Sequence, residues 1–170
     1  ENTPENARDI LKNLGQNIDI VAGTYDDAFL KSRECEALKL SDEPICCAVS
    51  VNDPLAEKDM LEISDLYGRT LMMIGRGWNK YIDLLRDELW GNHPQIHVED
   101  FPFYNINVFN QCEQEGNILA VMRPLDNIHP MLKNIPVRWD CTAPFGILHA
   151  PQPSEAVTRL LDTVSKVLEP

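Results

Sequence analysis

The stretch from Thr70 to Trp90, TLMMIGRGWNKYIDLLRDELW, changes its apolar period halfway along. Thr70 to Ile74 is a short apolar run closed by a glycine, the pattern of a buried strand. From about Asn79 to Trp90, Ile82, Leu85 and Leu89 recur at helical spacing and define one apolar stripe. Gly75-Arg76-Gly77 is the turn between them. A strand that feeds directly into a helix is the building unit of an α/β sheet.

The same alternation continues outward. Downstream, Ile96 to Val98 reads as a strand, Asn107 to Glu115 as a helix and Asn117 to Met122 as a strand. Two further strands are predicted over Ile135 to Trp139 and Phe145 to His149. A last helix from Ser154 should carry Val157, Leu160, Leu161, Val164 and Leu168 toward the core. Upstream, Glu5 to Leu14 reads as a helix started by Thr3-Pro4 and stopped by Gly15. Ile18 to Gly23 is an apolar run of the kind buried on both faces of a parallel sheet. Ala37 to Leu40 and Ile45 to Val51 read as two strands separated by the turn Ser41-Asp42-Glu43-Pro44. The expected class is α/β with mixed, mainly parallel sheets and flanking helices, and ligands then bind beyond the carboxyl ends of the strands.

Bulk properties narrow the function. The 170 residues carry a net charge of −12, which argues against a direct grip on nucleic acid, since phosphate contacts need clustered Lys and Arg. No run of about 18 apolar residues is present, so no membrane-spanning helix is expected. The polar N-terminus is unlike a secretory signal. The five cysteines, Cys35, Cys46, Cys47, Cys112 and Cys141, are odd in number and sit in apolar contexts. That fits reduced thiols in cytoplasm, used as small core residues, better than a disulfide framework.

Three stretches together carry a family resemblance. Leu11 to Gly23, LKNLGQNIDIVAG, enters a strand through a glycine and an aspartate. Ile45 to Leu66, ICCAVSVNDPLAEKDMLEISDL, follows a strand with Asp-Pro-Leu-Ala and then a Leu/Ile-x-Asp-Leu step. Ile135 to Val157 closes the chain with Pro136-Val137-Arg138-Trp139, a strand and a helix after Pro153-Ser154. In this order they resemble the effector-binding domain of bacterial LysR-type transcriptional regulators. The resemblance implies the two-lobed fold of type 2 periplasmic binding proteins. Lobe I would hold residues 1–64 and 137–170, with lobe II, residues 65–136, inserted between them. It also implies that the first strands of lobe I and a winged helix-turn-helix domain lie outside this sequence, leaving lobe I incomplete. The family's glycine-rich stretch after the second-lobe helix is replaced by Gln111 to Ile118, QCEQEGNI. DNA would be reached only through the helix-turn-helix domain, in a homo-oligomeric cytoplasmic regulator with no membrane partner.

Residues at strand ends are the candidates for holding an effector. Gly75-Arg76-Gly77-Trp78-Asn79 opens a helix, where free N–H groups and the helix dipole favour an anion. Arg76 offers a charge-assisted contact to a carboxylate and Trp78 an aromatic wall, although a solvent-exposed arginine in an ordinary strand-to-helix turn accounts for Arg76 about as well. Thr24 and Tyr25, after the Ile18–Gly23 strand, supply hydroxyls, although a plain structural turn accounts for them nearly as well. Phe103, Tyr104 and Asn105, in the stretch FPFYN from Phe101 to Asn105, match the position at which the family lines its cleft, while core packing is the other account of the aromatics. Arg123 is a second cation or a surface residue. The implied ligand is a small carboxylate or aromatic acid held between the lobes, acting through unequal affinity for two arrangements of the regulator.

Other chemistries find little support. His93, His97, Glu99 and Asp100 lack the convergence of a metal site, so no metal or cofactor is expected. Asp26-Asp27 reads as a solvated loop or a helix cap. No nucleophile elbow, P-loop, dinucleotide fingerprint or zincin motif occurs. A cysteine hydrolase built from Cys112 with His129 or His149 has no local motif behind it, so no enzymatic activity is expected. Two rivals keep the fold but change the role: an exported solute-binding protein of a transporter, and a ligand-free oligomerisation module.

Overall fold

The computed structural model describes residues 3–123 and 129–168. The chain forms two compact units, residues 1–42 with 143–170, and residues 43–142. The lobe limits expected at 64 and 137 thus differ from the observed divisions, the first of which falls inside a continuous strand.

The first unit begins with α1 (Pro4–Lys12), whose first turn is set by Pro4 and by Thr3, which accepts a hydrogen bond from the Asn6 N–H at 3.2 Å. Gly15, at φ 86°, turns the chain toward β1 (Ile20–Thr24). Strand β1 corrects the expectation of a doubly buried parallel strand. It pairs antiparallel with β7 (Thr142–His149), Ile20 opposite His149 through Thr24 opposite Phe145, and none of its residues is fully buried. An apolar run of five residues reads the same at a sheet's margin as in its centre, which is why the sequence misled.

Helix α2 (Asp27–Arg33), absent from the sequence reading, is started by Asp26, which accepts the Phe29 N–H at 2.7 Å. Asp26 is therefore the helix cap. Strand β7 runs beside the first half of β2 (Glu36–Ser50), and Gly146 permits the approach. A Cβ on Gly146 would stand 2.3 Å from the Leu38 carbonyl oxygen. Leu11, Leu14, Tyr25, Phe29, Cys35 and Leu148 form the core. Helix α5 (Glu155–Leu168) departs from expectation: Val157 is buried, but Leu160, Val167 and Leu168 are exposed. Helical periodicity reveals an apolar face, not what covers it.

The second unit contains the strand-helix alternation. Here β2 is one strand, not two separated by a turn, and its pairing with β5 and β6 begins at Ile45, just past Pro44. Proline, lacking an N–H, is tolerated where no ladder bond is required of it. Strands β5 (Ile118–Met122) and β6 (Leu132–Pro136) pair with β2 antiparallel. Strand β6 lies upstream of its expected place, and Trp139 instead donates its indole N–H to the Ile45 carbonyl at 2.7 Å. Strand β3 (Thr70–Ile74) pairs parallel with both β4 (His97–Phe101) and β5. Helices α3 (Lys80–Asn92) and α4 (Ile106–Glu115) connect β3 to β4 and β4 to β5. All of β5 and four of the five residues of β3 are buried, as a central parallel strand requires. Two 3-10 helices, Pro54–Glu57 and Ile63–Leu66, shape the segment between β2 and β3.

Candidate functional site

Three parallel strands in the order β5-β3-β4 bring their carboxyl ends to one edge of the second unit. The chain leaves β3 toward β4 and then returns past β3 to reach β5. Connections that diverge in this way open a crevice at the strand ends. Most of the residues singled out in the sequence collect here: Arg76 to Asn79 after β3, Phe103 to Asn105 after β4, and Arg123 after β5.

The β3 and β4 exits are fastened together. The Gly75 N–H donates to the Phe101 carbonyl at 2.9 Å, and Trp78 meets Phe103 edge-on with ring centroids 5.1 Å apart. Asparagine caps each following helix. Asn79 accepts the Tyr81 N–H at 2.9 Å, and Asn105 accepts those of Asn107 at 2.9 Å and Val108 at 3.2 Å. Two helix N-termini thus stand at the ends of adjacent strands, joined by an aromatic pair.

The charges are already engaged. Arg76, exposed, pairs with Asp87, and Gly77, at φ 82°, donates its N–H to Asp83 Oδ2 at 3.0 Å. The hydrogen bond to Asp87, supported by the fields of Asp83 and Asp100, raises the Arg76 pKa, while Arg76 holds the Asp87 carboxyl below its ordinary value. Asn79 is buried, and its Nδ2 has no hydrogen-bond partner. Asp83 Oδ1 is likewise buried without one.

Tyr104 and Tyr25 are held by contacts of the fold itself. The Tyr104 hydroxyl donates to the Ala120 carbonyl at 2.7 Å, and its ring packs on Phe101 and Phe109. Burial pushes its phenol well above the usual range, so it is a neutral donor. In the first unit, Tyr25 is a core residue whose N–H donates to the Pro144 carbonyl at 3.2 Å, while Thr24 ends β1, half-buried. Arg123 is exposed. His93 bonds the Tyr67 hydroxyl at 2.9 Å, and Asp100 pairs with Arg86, so these two members of the acidic and histidine segment have separate partners.

Sequence reasoning missed Arg86. This buried residue of α3 spans from Asp100 to the Ile74 carbonyl, at 2.8 Å, and so secures the end of β3. The available signal was its place among Ile82, Leu85 and Leu89: a cation in an apolar stripe needs partners.

No protein-family model matches the chain, and no curated protein matches it. Solved structures do. The effector-binding domain of QuiR, in complex with shikimate, aligns at a TM-score of 0.68 and 14% identity over 97% of this chain and 78% of that one. The BenM effector-binding domain with its effector benzoate aligns at 0.63 and 15% identity, over 97% and 75%. CbnR, a LysR family transcriptional regulator, aligns at 0.71 and 12% identity, over 99% of this chain and 58% of its own. The fold is that of LysR-type effector-binding domains, the type 2 periplasmic-binding-protein-like fold.

Proposed function

We propose that this chain is the effector-sensing part of a LysR-type transcriptional regulator and that it binds a small organic carboxylate. The carboxylate sits at the strand-end edge of the second unit, against Arg76, the Gly77 N–H and the N-terminus of α3. Trp78 and Phe103 line its apolar body. The observation that carries the reading is the junction itself: two helix N-termini at adjacent parallel strand ends, joined by Trp78 on Phe103. It occurs in a fold whose solved examples hold shikimate and benzoate. The chain is non-enzymatic and cytoplasmic in this reading. It acts on DNA through a separate winged helix-turn-helix domain of an oligomeric regulator, and the effector works by binding one state of that regulator more tightly than the other.

Calorimetric titration with shikimate, benzoate and related acids tests this. At least one should bind, and Arg76→Ala should weaken it roughly ten-fold or more, the cost of a charge-assisted hydrogen bond. Equal affinity in the two proteins would remove Arg76 from the site. Absence of binding across the panel would count against a carboxylate effector.

A further inference from the structure

The N-terminus of α3 has two groups suited to a carboxylate, the Arg76 guanidinium and the Gly77 N–H. Both are held by carboxylates of the helix itself, Asp87 on Arg76 and Asp83 on Gly77. An incoming anion therefore meets an edge whose two donor positions are taken and where the carboxylates of Asp83, Asp87 and Asp100 act on Arg76. A second observation points to a ligand at the same place. Asn79 is 2% exposed, and its Nδ2 has no partner. Its Oδ1 accepts the Tyr81 N–H, so the planar amide fixes Nδ2 at this same helix end. A buried donor without an acceptor is unfavourable, and an acceptor supplied by a ligand relieves part of that cost.

We propose that Asp83 and Asp87 are specificity-determining residues that act as built-in competitors for the effector carboxylate. The carboxylate binds by displacing them from Gly77 and Arg76, and it gains the Asn79 amide as a contact that they do not make. Weak anions are thereby refused, because they must replace two bonds already formed. This rests on the proposed placement of the effector at the α3 N-terminus.

The test compares the whole chain with three variants by calorimetry, using shikimate and benzoate as probes and following the Gly77 amide by NMR. Asp83→Asn and Asp87→Asn preserve shape while removing charge, and each should bind the probes about two- to five-fold more tightly, the worth of an exposed ion pair. Asn79→Ser keeps an oxygen for the cap but loses the amide donor, and should bind about two- to ten-fold more weakly. Thermal melts show whether each variant is folded. Wild-type affinity or weaker in both aspartate variants, with binding retained by the wild type, overturns the competitor role and leaves the effector reading standing. Silence of the Gly77 amide and of the calorimeter in all four proteins overturns both.

Discussion

The two units use similar sequence material to different ends. In the second, β3 and β5 are enclosed by helices and neighbouring strands, and their side chains are almost wholly inaccessible. In the first, β1 pairs antiparallel, its residues are half-buried or exposed, and α5 keeps an apolar face at the surface. Stability in the second unit should therefore rest on close packing. In the first it should rest on a small core, capped helices and one close backbone approach.

Leu119→Ala should break this contrast most severely. Leu119 is fully buried in β5, and removing a buried leucine's side chain costs about 2–5 kcal/mol. Urea unfolding followed by circular dichroism reads it, and a cost under about 1 kcal/mol would contradict the packing described. Next in size is Gly146→Ala, where the new methyl meets backbone rather than a yielding side chain. Overpacking of this kind costs about 1–3 kcal/mol, and hydrogen exchange should show the loss first in β1 and β7. Asp26→Ala removes the α2 cap and should cost about 1 kcal/mol, measured by the same denaturant curve. At the small end, Val167→Ser in α5 should change stability by no more than about 0.5 kcal/mol, since its side chain is 79% exposed.

Acid sharpens the comparison from another side. In the second unit, burial works to raise the Asp53 pKa, but hydrogen bonds from Arg69 and the Leu55 N–H outweigh it and leave it lowered. A carboxyl whose folded pKa lies below its unfolded value contributes stability above about pH 4, and that contribution is lost as pH falls through the folded pKa. Asp53→Asn should remove that part of the acid dependence. An unchanged stability-versus-pH curve would show that the pair with Arg69 contributes nothing.

Periodicity made the second unit readable and the first one less so. Strand β3 falls where its apolar run predicts, and α3 follows as the stripe of Ile82, Leu85 and Leu89 requires. Helix α2 was missed because seven residues hold barely two turns, although its cap at Asp26 was recognised as one possibility. Strand β2 was divided because Asp-Glu-Pro reads as a turn unless the partners of each half are known. The site follows the same rule. Strand ends can be read from an apolar run, so the place of Arg76 to Asn79 after β3 and of Phe103 to Asn105 after β4 was legible. Pairing is a matter of three-dimensional distance, so neither the engagement of Arg76 by Asp87 nor the Ala120 contact of Tyr104 could be read from spacing.

The edge-on contact of Trp78 with Phe103 also has an optical consequence. The chain's three tryptophans occupy distinct settings: Trp90 is 80% exposed, Trp139 donates its indole N–H to a backbone carbonyl, and Trp78 is half-buried at the strand ends. With Trp90 and Trp139 replaced by phenylalanine, the remaining emission would come from the junction alone, and its wavelength would report the wetness of that surface directly.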